Sequence, residues 1–241
     1  MIKVYIHTPE LTGWQSVFVE MLEKMDKSGL IAAADEINFC LNGVHSDMEM
    51  FLWPLLTTNP KFKIVHVHGD ASKWEWPTLN RIRLDADKDD SEDHKICYVH
   101  LKGLSRENLH DQKAVDWRNY LSYWTIEQWA GSVAQLEYGA EVVGVNWMDQ
   151  PFPHFSGNFW WATTNYIRRL RNLQDPATIT WGKASEYIPR TLLDPGNFRF
   201  EHEAWIGSAT PNKVEVDHSH GKSDPSFHYN FEYPSTNYKI K

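Results

Sequence analysis

The sequence predicts an α/β fold with a mainly parallel sheet flanked by helices. Three observations point to it: short apolar runs alternate with amphipathic stretches from Ile2 to Gly103, turn residues punctuate them, and apolar content suffices for one core. With 241 residues, 41% of them hydrophobic, the chain can bury a single good core and at most a small appendage.

Residues 2–7 (IKVYIH) read as the first strand. Behind Thr12, Trp14, Val17, Phe18, Met21, Leu22 and Met25 recur at helical spacing, and Ser28-Gly29 ends that helix. Residues 36–43 alternate Ile37, Phe39 and Leu41 as a strand does, residues 47–56 form a short helix, and residues 62–69 a third strand. A further helix starts near Pro77, whose fixed φ suits a first turn, and ends in the acidic stretch DADKDDSED before the strand KICYVHLKG. Residues 114–137 then place Tyr120, Trp124, Trp129, Val133 and Leu136 on one helical face. Residues 141–147 (EVVGVNW) read as a strand, and NFWWATTNYIRRL (158–170) resumes helical character. Residues 199–207 are a short strand or helix beside the sheet. The domain is expected to span residues 1–207, with residues 208–241 a loop-rich C-terminal appendage or lid carrying His218, His220 and His228.

Composition excludes several function classes. A net charge of -8 argues against nucleic acid as a partner, so any anionic ligand must be held by local cations. No apolar run approaches the roughly 18 residues of a membrane span, and the N-terminus lacks a secretory pattern. A cytoplasmic protein without an integral membrane segment is expected. Cys40 and Cys97, the two cysteines, sit in apolar runs and read as buried thiols. The 12 tryptophans serve either as core or as flat platforms for sugars and bases.

In an open parallel sheet, ligands bind beyond the carboxyl ends of the strands. The loops gathered there are HTPEL, HGDASKWEWPT, HLKGLSR, NWMDQPFPHFSGN and HEAWIG. Alternation puts His100 and Lys102 on one side of a strand end, and Gly103 lets backbone amides approach a ligand. With Arg106 they make a diphosphate seat, or else the cations are ordinary solvated loop charges. Neither GxGxxG nor GxxxxGK[ST] occurs, and there is no GxSxG elbow. Asp85 and Asp87 form an Asp-Ala-Asp triplet of the kind that holds Mg²⁺ or Mn²⁺, although their acidic surroundings favour a solvated charge run. Residues 218–224 (HSHGKSD) match no strong zinc signature. Glu203 and Asp116, each beside tryptophan, are the candidate general bases, against bland readings as a surface acid and an ion-paired one.

Taken in order, WPTLNRI, YVHLKG, VDWRNYLSYW, VVGVNW, PHFSGNFWWATTNYIRRL and EAWIG resemble a group of small glycosyltransferases of bacterial surface-polysaccharide and viral glycan genes, of the GT-A nucleotide-sugar class. The likeness covers residues 60–207. It implies a single GT-A-like domain that moves a sugar from a nucleotide-diphosphate donor, a UDP-sugar first, to a hydroxyl of a glycan acceptor. It further implies donor contacts from Thr8, His100, Lys102, Gly103, His154, Ser156, Gly157 and Asn158, with Glu203 or Asp116 as base. Many GT-A enzymes end the central strand in Asp-x-Asp and hold a metal there, whereas this strand ends in His100-Leu101-Lys102. Either Lys102 and other cations replace the metal, the favoured reading, or Asp85 and Asp87 reach the site with Mn²⁺ or Mg²⁺. The competing expectations are a non-catalytic glycan-binding module and a two-carboxylate glycoside hydrolase.

Overall fold

The computed structural model describes residues 1–43, 45–88, 92–104, 111–173, 199–219, 221, 224 and 226–239. Among them, seven strands form one sheet in the order β3-β2-β1-β4-β8-β5-β9, and two more form a small hairpin, β6 with β7. The sheet strands are β1 (Ile2–Pro9), β2 (Glu36–Asn42), β3 (Phe62–His68), β4 (Lys95–His100), β5 (Val142–Val145), β8 (Trp160–Thr163) and β9 (Val214–His218). The hairpin strands are β6 (Trp147–Met148) and β7 (His154–Phe155). All pairings in the main sheet are parallel except those of β8, which runs antiparallel to both β4 and β5. The expected fold class, α/β with a mainly parallel sheet, is therefore observed.

Strand alternation divides the interior into two cores. One face carries Val4, Ile6, Phe39, Val99 and Trp161. Against it pack α1 (Trp14–Lys27), α3 (His45–Thr58), α5 (Gln112–Ser122) and α6 (Trp129–Glu137). The other face carries Tyr5, Ile96, Tyr98 and Trp160. It is covered by α4 (Trp76–Lys88), α7 (Thr164–Ile167) and α8 (Arg199–Trp205). The short helices α2 (Leu30–Ala33) and α9 (Phe227–Asn230) complete the α-helices among the described residues. None of the described helices is long and apolar enough to cross a membrane.

Several expectations change. The stretch NFWWATTNYIRRL is not one helix: Trp160–Thr163 is a strand between β4 and β5, and only Thr164–Ile167 is helical. A strand buried on both faces lacks the apolar–polar alternation that would reveal it. Trp160 and Trp161, both fully buried, point into opposite cores. The predicted helix at residues 114–137 is interrupted by a π-helical turn, Tyr123–Glu127. Within the expected appendage, Val214–His218 is a sheet strand parallel to β5. The remaining alternative, strand or helix at residues 199–207, resolves to a helix.

Trp161 ties the second half of the sheet to the first. It pairs with Cys97 of β4 and Val143 of β5, and its indole N–H donates to the Thr125 carbonyl at 2.9 Å. Trp161→Ala is expected to destabilise the fold by about 3–5 kcal/mol, the cost of a large buried aromatic truncated to alanine. Denaturant titration checks this, and a loss below ~1 kcal/mol would mean that the site collapses without a cavity.

Candidate functional site

A cleft of about 220 Å³ opens at the carboxyl ends of β1 and β4. Its lining comes from His7 and Pro9 at the end of β1, Trp74 and Glu75 ahead of α4, His100 to Leu104 at the end of β4, Trp117 on α5, Glu203 on α8 and Tyr229 on α9. This is where an open parallel sheet gathers its loops, because side chains at strand ends escape the sheet's own packing.

Four of the predicted residues meet here: His100, Lys102, Gly103 and Glu203. Lys102 is only 8% exposed, and its ammonium lies 3.9 Å from the centroid of the Trp117 ring. Its main chain is fixed by Arg118, whose guanidinium donates to the Lys102 carbonyl at 3.4 Å while pairing with Glu20 at 3.0 Å. Glu20 thus neutralises Arg118. Among the described residues, no carboxylate neutralises Lys102. A nearly buried ammonium faced by an indole keeps capacity to pair with an anion, since the ring supplies only part of the lost hydration. Gly103, at φ +92°, takes the left-handed turn that the chain needs directly after it.

His7 and His100 are register partners on adjacent strands. Burial, with the Lys102 ammonium adding to it, pushes His100 down to about 3. Burial, with His100 adding to it, pushes His7 down to about 4, against an opposing pull from Glu75. Both are neutral imidazoles at pH 7. The Nε2 of His100 lies 3.0 Å from the Gly157 carbonyl, which can only accept, so Nε2 carries the proton and Nδ1 is left as an acceptor. The Nδ1 of His7 bonds to the Thr78 hydroxyl at 2.8 Å.

Glu203 is half-buried and lies close enough to His100 and Tyr98 for its charge to act on both. Among the described residues its carboxylate takes no hydrogen bond or ion pair. It is therefore available to a ligand in the cleft.

The Ser156-Gly157-Asn158 turn takes a supporting place. Gly157 has φ +97° and Asn158 φ +56°, so two successive residues are left-handed. A Cβ on Gly157 would lie 2.8 Å from a Leu121 methyl carbon, which excludes any larger residue without a shift. Asn158 is 1% exposed; its amide N–H donates to Glu75 Oε2 at 2.6 Å, and its oxygen accepts from the Trp160 indole at 3.0 Å. It reaches the cleft only through Glu75. Residues 20–231 match the family described as "Domain of unknown function (DUF8361)". The chain belongs to this family. No curated protein matches it. Among solved structures it is similar to the 4-diphosphocytidyl-2C-methyl-D-erythritol synthase of Anaerococcus prevotii, with 13% identity over 90% of this chain and 88% of that one and a TM-score of 0.41.

The other predicted residues of this DUF8361 chain lie away from the cleft lining. Thr8 is fully buried and its hydroxyl donates to the Ile6 carbonyl at 3.4 Å. His154 is 2% exposed, with Nδ1 2.7 Å from the Phe152 carbonyl, and the buried Ser156 donates its N–H to the Asn146 carbonyl. Asp116 is buried as well; it accepts from the Gln112 amide at 2.7 Å and from the Tyr233 N–H at 3.1 Å, so it anchors the C-terminal segment. Asp85 and Asp87 lie in the last turns of α4, not in a loop. Asp85 binds Arg81 at 2.7 Å and the Tyr5 hydroxyl at 3.0 Å, and Asp87 binds Arg83 at 2.9 Å. These two acids do not suit a divalent cation at the cleft. Among the described residues no group of three His, Cys, Asp or Glu side chains could hold a metal. Arg106, His220 and Lys222 lie outside the described residues.

Sequence reasoning missed Glu75, His7, Trp74 and Tyr229. The segment KWEWP carried a signal, an acid between two tryptophans in a loop at the right end of the sheet. Trp74 adopts φ +50° and is 38% exposed at the cleft wall, with its carbonyl held by the Asn42 amide at 2.9 Å. That conformation costs a bulky residue on the order of 1–3 kcal/mol, and the surrounding structure maintains it.

Proposed function

We propose that the protein is a glycosyltransferase that uses a nucleotide-sugar donor and a glycan hydroxyl as acceptor. The observation that supports it most directly is the pairing, within one cleft, of a nearly buried cation and a carboxylate, Lys102 and Glu203, neither of which has an ion-pair partner among the described residues. The motif resemblance to GT-A enzymes supplies the substrate class. In this reading the acceptor hydroxyl loses its proton to Glu203 as its oxygen bonds to the anomeric carbon. The bond from that carbon to the diphosphate oxygen breaks, and the negative charge that develops on the leaving group faces Lys102. Such an in-line displacement inverts the anomeric centre. Lys102 takes the charge-stabilising place of the metal, in keeping with His100-Leu101-Lys102 standing where Asp-x-Asp is usual.

Calorimetric titration with UDP, GDP and dTDP, and with UDP-glucose, GDP-mannose and dTDP-glucose, tests the reading with and without Mn²⁺. At least one pair is expected to bind, and Lys102→Ala is expected to weaken it roughly 10- to 100-fold, the worth of a hydrogen bond to a charged group. Absence of binding by all six would overturn the proposal.

One observation favours a second reading, a glycoside hydrolase. Glu75 shares the cleft with Glu203 and supplies the second carboxylate that such an enzyme requires. Release of reducing sugar from an oligosaccharide without any nucleotide would favour it. The transferase reading accounts for Lys102 as well, for which a hydrolase has no use.

A further inference from the structure

The polar groups of the cleft are divided by kind. Lys102 and the Gly103 turn supply positive charge and backbone. Glu75 and His100 supply acceptors: the Oε1 of Glu75 takes no hydrogen bond from the described residues, and the Nδ1 of His100 is left free by the bond that Nε2 makes to Gly157. A diphosphate has only acceptors to offer and is repelled by a carboxylate, whereas a sugar presents a ring of hydroxyl donors that such acceptors bind.

Glu75 is also held with unusual care for a loop acid. Its Oε2 accepts from the Tyr98 hydroxyl at 2.6 Å and from the Asn158 amide at 2.6 Å. Tyr98 comes from the middle of the sheet and Asn158 from the left-handed turn, and both are at most 1% exposed. Two short bonds to one oxygen fix the carboxyl plane and leave the other oxygen for a ligand. Trp74, next in the chain, adds an indole face at the same wall, the usual partner for the apolar face of a pyranose.

We propose that Glu75 is the residue that reads the glycosyl group of the donor, accepting its hydroxyls through Oε1, with Tyr98 and Asn158 as positioning residues. This rests on the nucleotide-sugar reading above and extends it to the part of the donor that Lys102 does not touch.

The test compares each bare nucleoside diphosphate with its sugar conjugate by titration calorimetry, on the wild-type chain and on Glu75→Gln. The wild-type chain is expected to prefer the matching conjugate over the bare diphosphate by roughly ten-fold. Glu75→Gln is expected to erase that preference to within about two-fold while the bare diphosphate binds no more weakly, since one negative charge has left the cleft, a split that general loosening of the site would not produce. Lys102→Ala weakens both ligands together. If Glu75→Gln melts early, Tyr98→Phe serves instead: it keeps the buried ring, removes one of the two positioning bonds, and is expected to lower the preference in part. Full preference retained in both variants, or equal loss for conjugate and bare diphosphate, overturns the assignment of Glu75 while leaving the transferase reading intact. Failure of the wild-type chain to bind any of the six ligands overturns both.

Discussion

Glu203→Gln is expected to lower sugar transfer by about 10²- to 10⁴-fold, the usual contribution of a general base, while donor affinity changes by no more than a few-fold. The substitution is nearly isosteric. Because Glu203 takes no hydrogen bond or ion pair from the described residues, the amide leaves no partner stranded, and the melting temperature is expected to stay within a degree or two. The readout is nucleoside diphosphate release with acceptor present, set beside calorimetric affinity for the donor. A variant with near wild-type turnover would remove Glu203 from the proton transfer, and Asp116, buried under Tyr233 and Gln112, could not take its place. Loss of turnover together with equal loss of donor binding would place Glu203 on the donor rather than the acceptor side.

The second large effect is on stability, and it is driven by acid. His7, His100 and His202 are held neutral by burial, at about 4, about 3 and about 3. His202 is fully buried, with neither ring nitrogen bonded among the described residues. In the unfolded chain each would titrate near its ordinary value of about 6.5. Between that value and the folded one, the unfolded state binds the proton and the native state does not, so stability falls as pH falls. The slope is about 1.4 kcal/mol per pH unit for each histidine, giving a loss on the order of 2 kcal/mol apiece by pH 5. Above pH 7 these groups contribute no pH dependence. Denaturant midpoints at pH 7.5, 6.5, 5.5 and 5.0 check the curve, and His202→Leu is expected to remove about a third of the acid slope. A flat profile from pH 6.5 to 5.0 would show that these imidazoles are not desolvated.

The first half of the fold was legible because its physics is local. Alternation marks β2, the helical spacing from Trp14 to Met25 marks α1, and Gly29, at φ +79°, ends it as its place in the sequence suggests. The strand Trp160–Thr163 was not legible. β4 and β5 pair with both of its edges and the two cores bury both of its faces, so aromatic follows aromatic without period, and tertiary pairing overrides the helical pattern that continues into Tyr166, Ile167 and Leu170. The pairing of Asp85 and Asp87 is written in the sequence: in RIRLDAD each acid stands four residues after an arginine, the spacing of helical ion pairs rather than of a metal loop.

At the site, strand-end logic found His100, Lys102 and Gly103, and chain order found Glu203. Glu75 escaped because what singles it out is long-range: its partners stand 23 and 83 residues away. The same bond revises the role of the Ser-Gly-Asn turn. Asn158 is held between Glu75 and the Trp160 indole, so its loss should touch both the cleft and the packing of Trp160.

A crystal structure of the chain with a nucleoside diphosphate and Mn²⁺ tests the central claim most directly. The account predicts phosphate oxygens in the cleft at the ends of β1 and β4, about 3 Å from Lys102 Nζ, with Asp85 and Asp87 still paired to Arg81 and Arg83. Diphosphate bound elsewhere, or bound in the cleft through a metal held by acids with Lys102 out of contact, would contradict it.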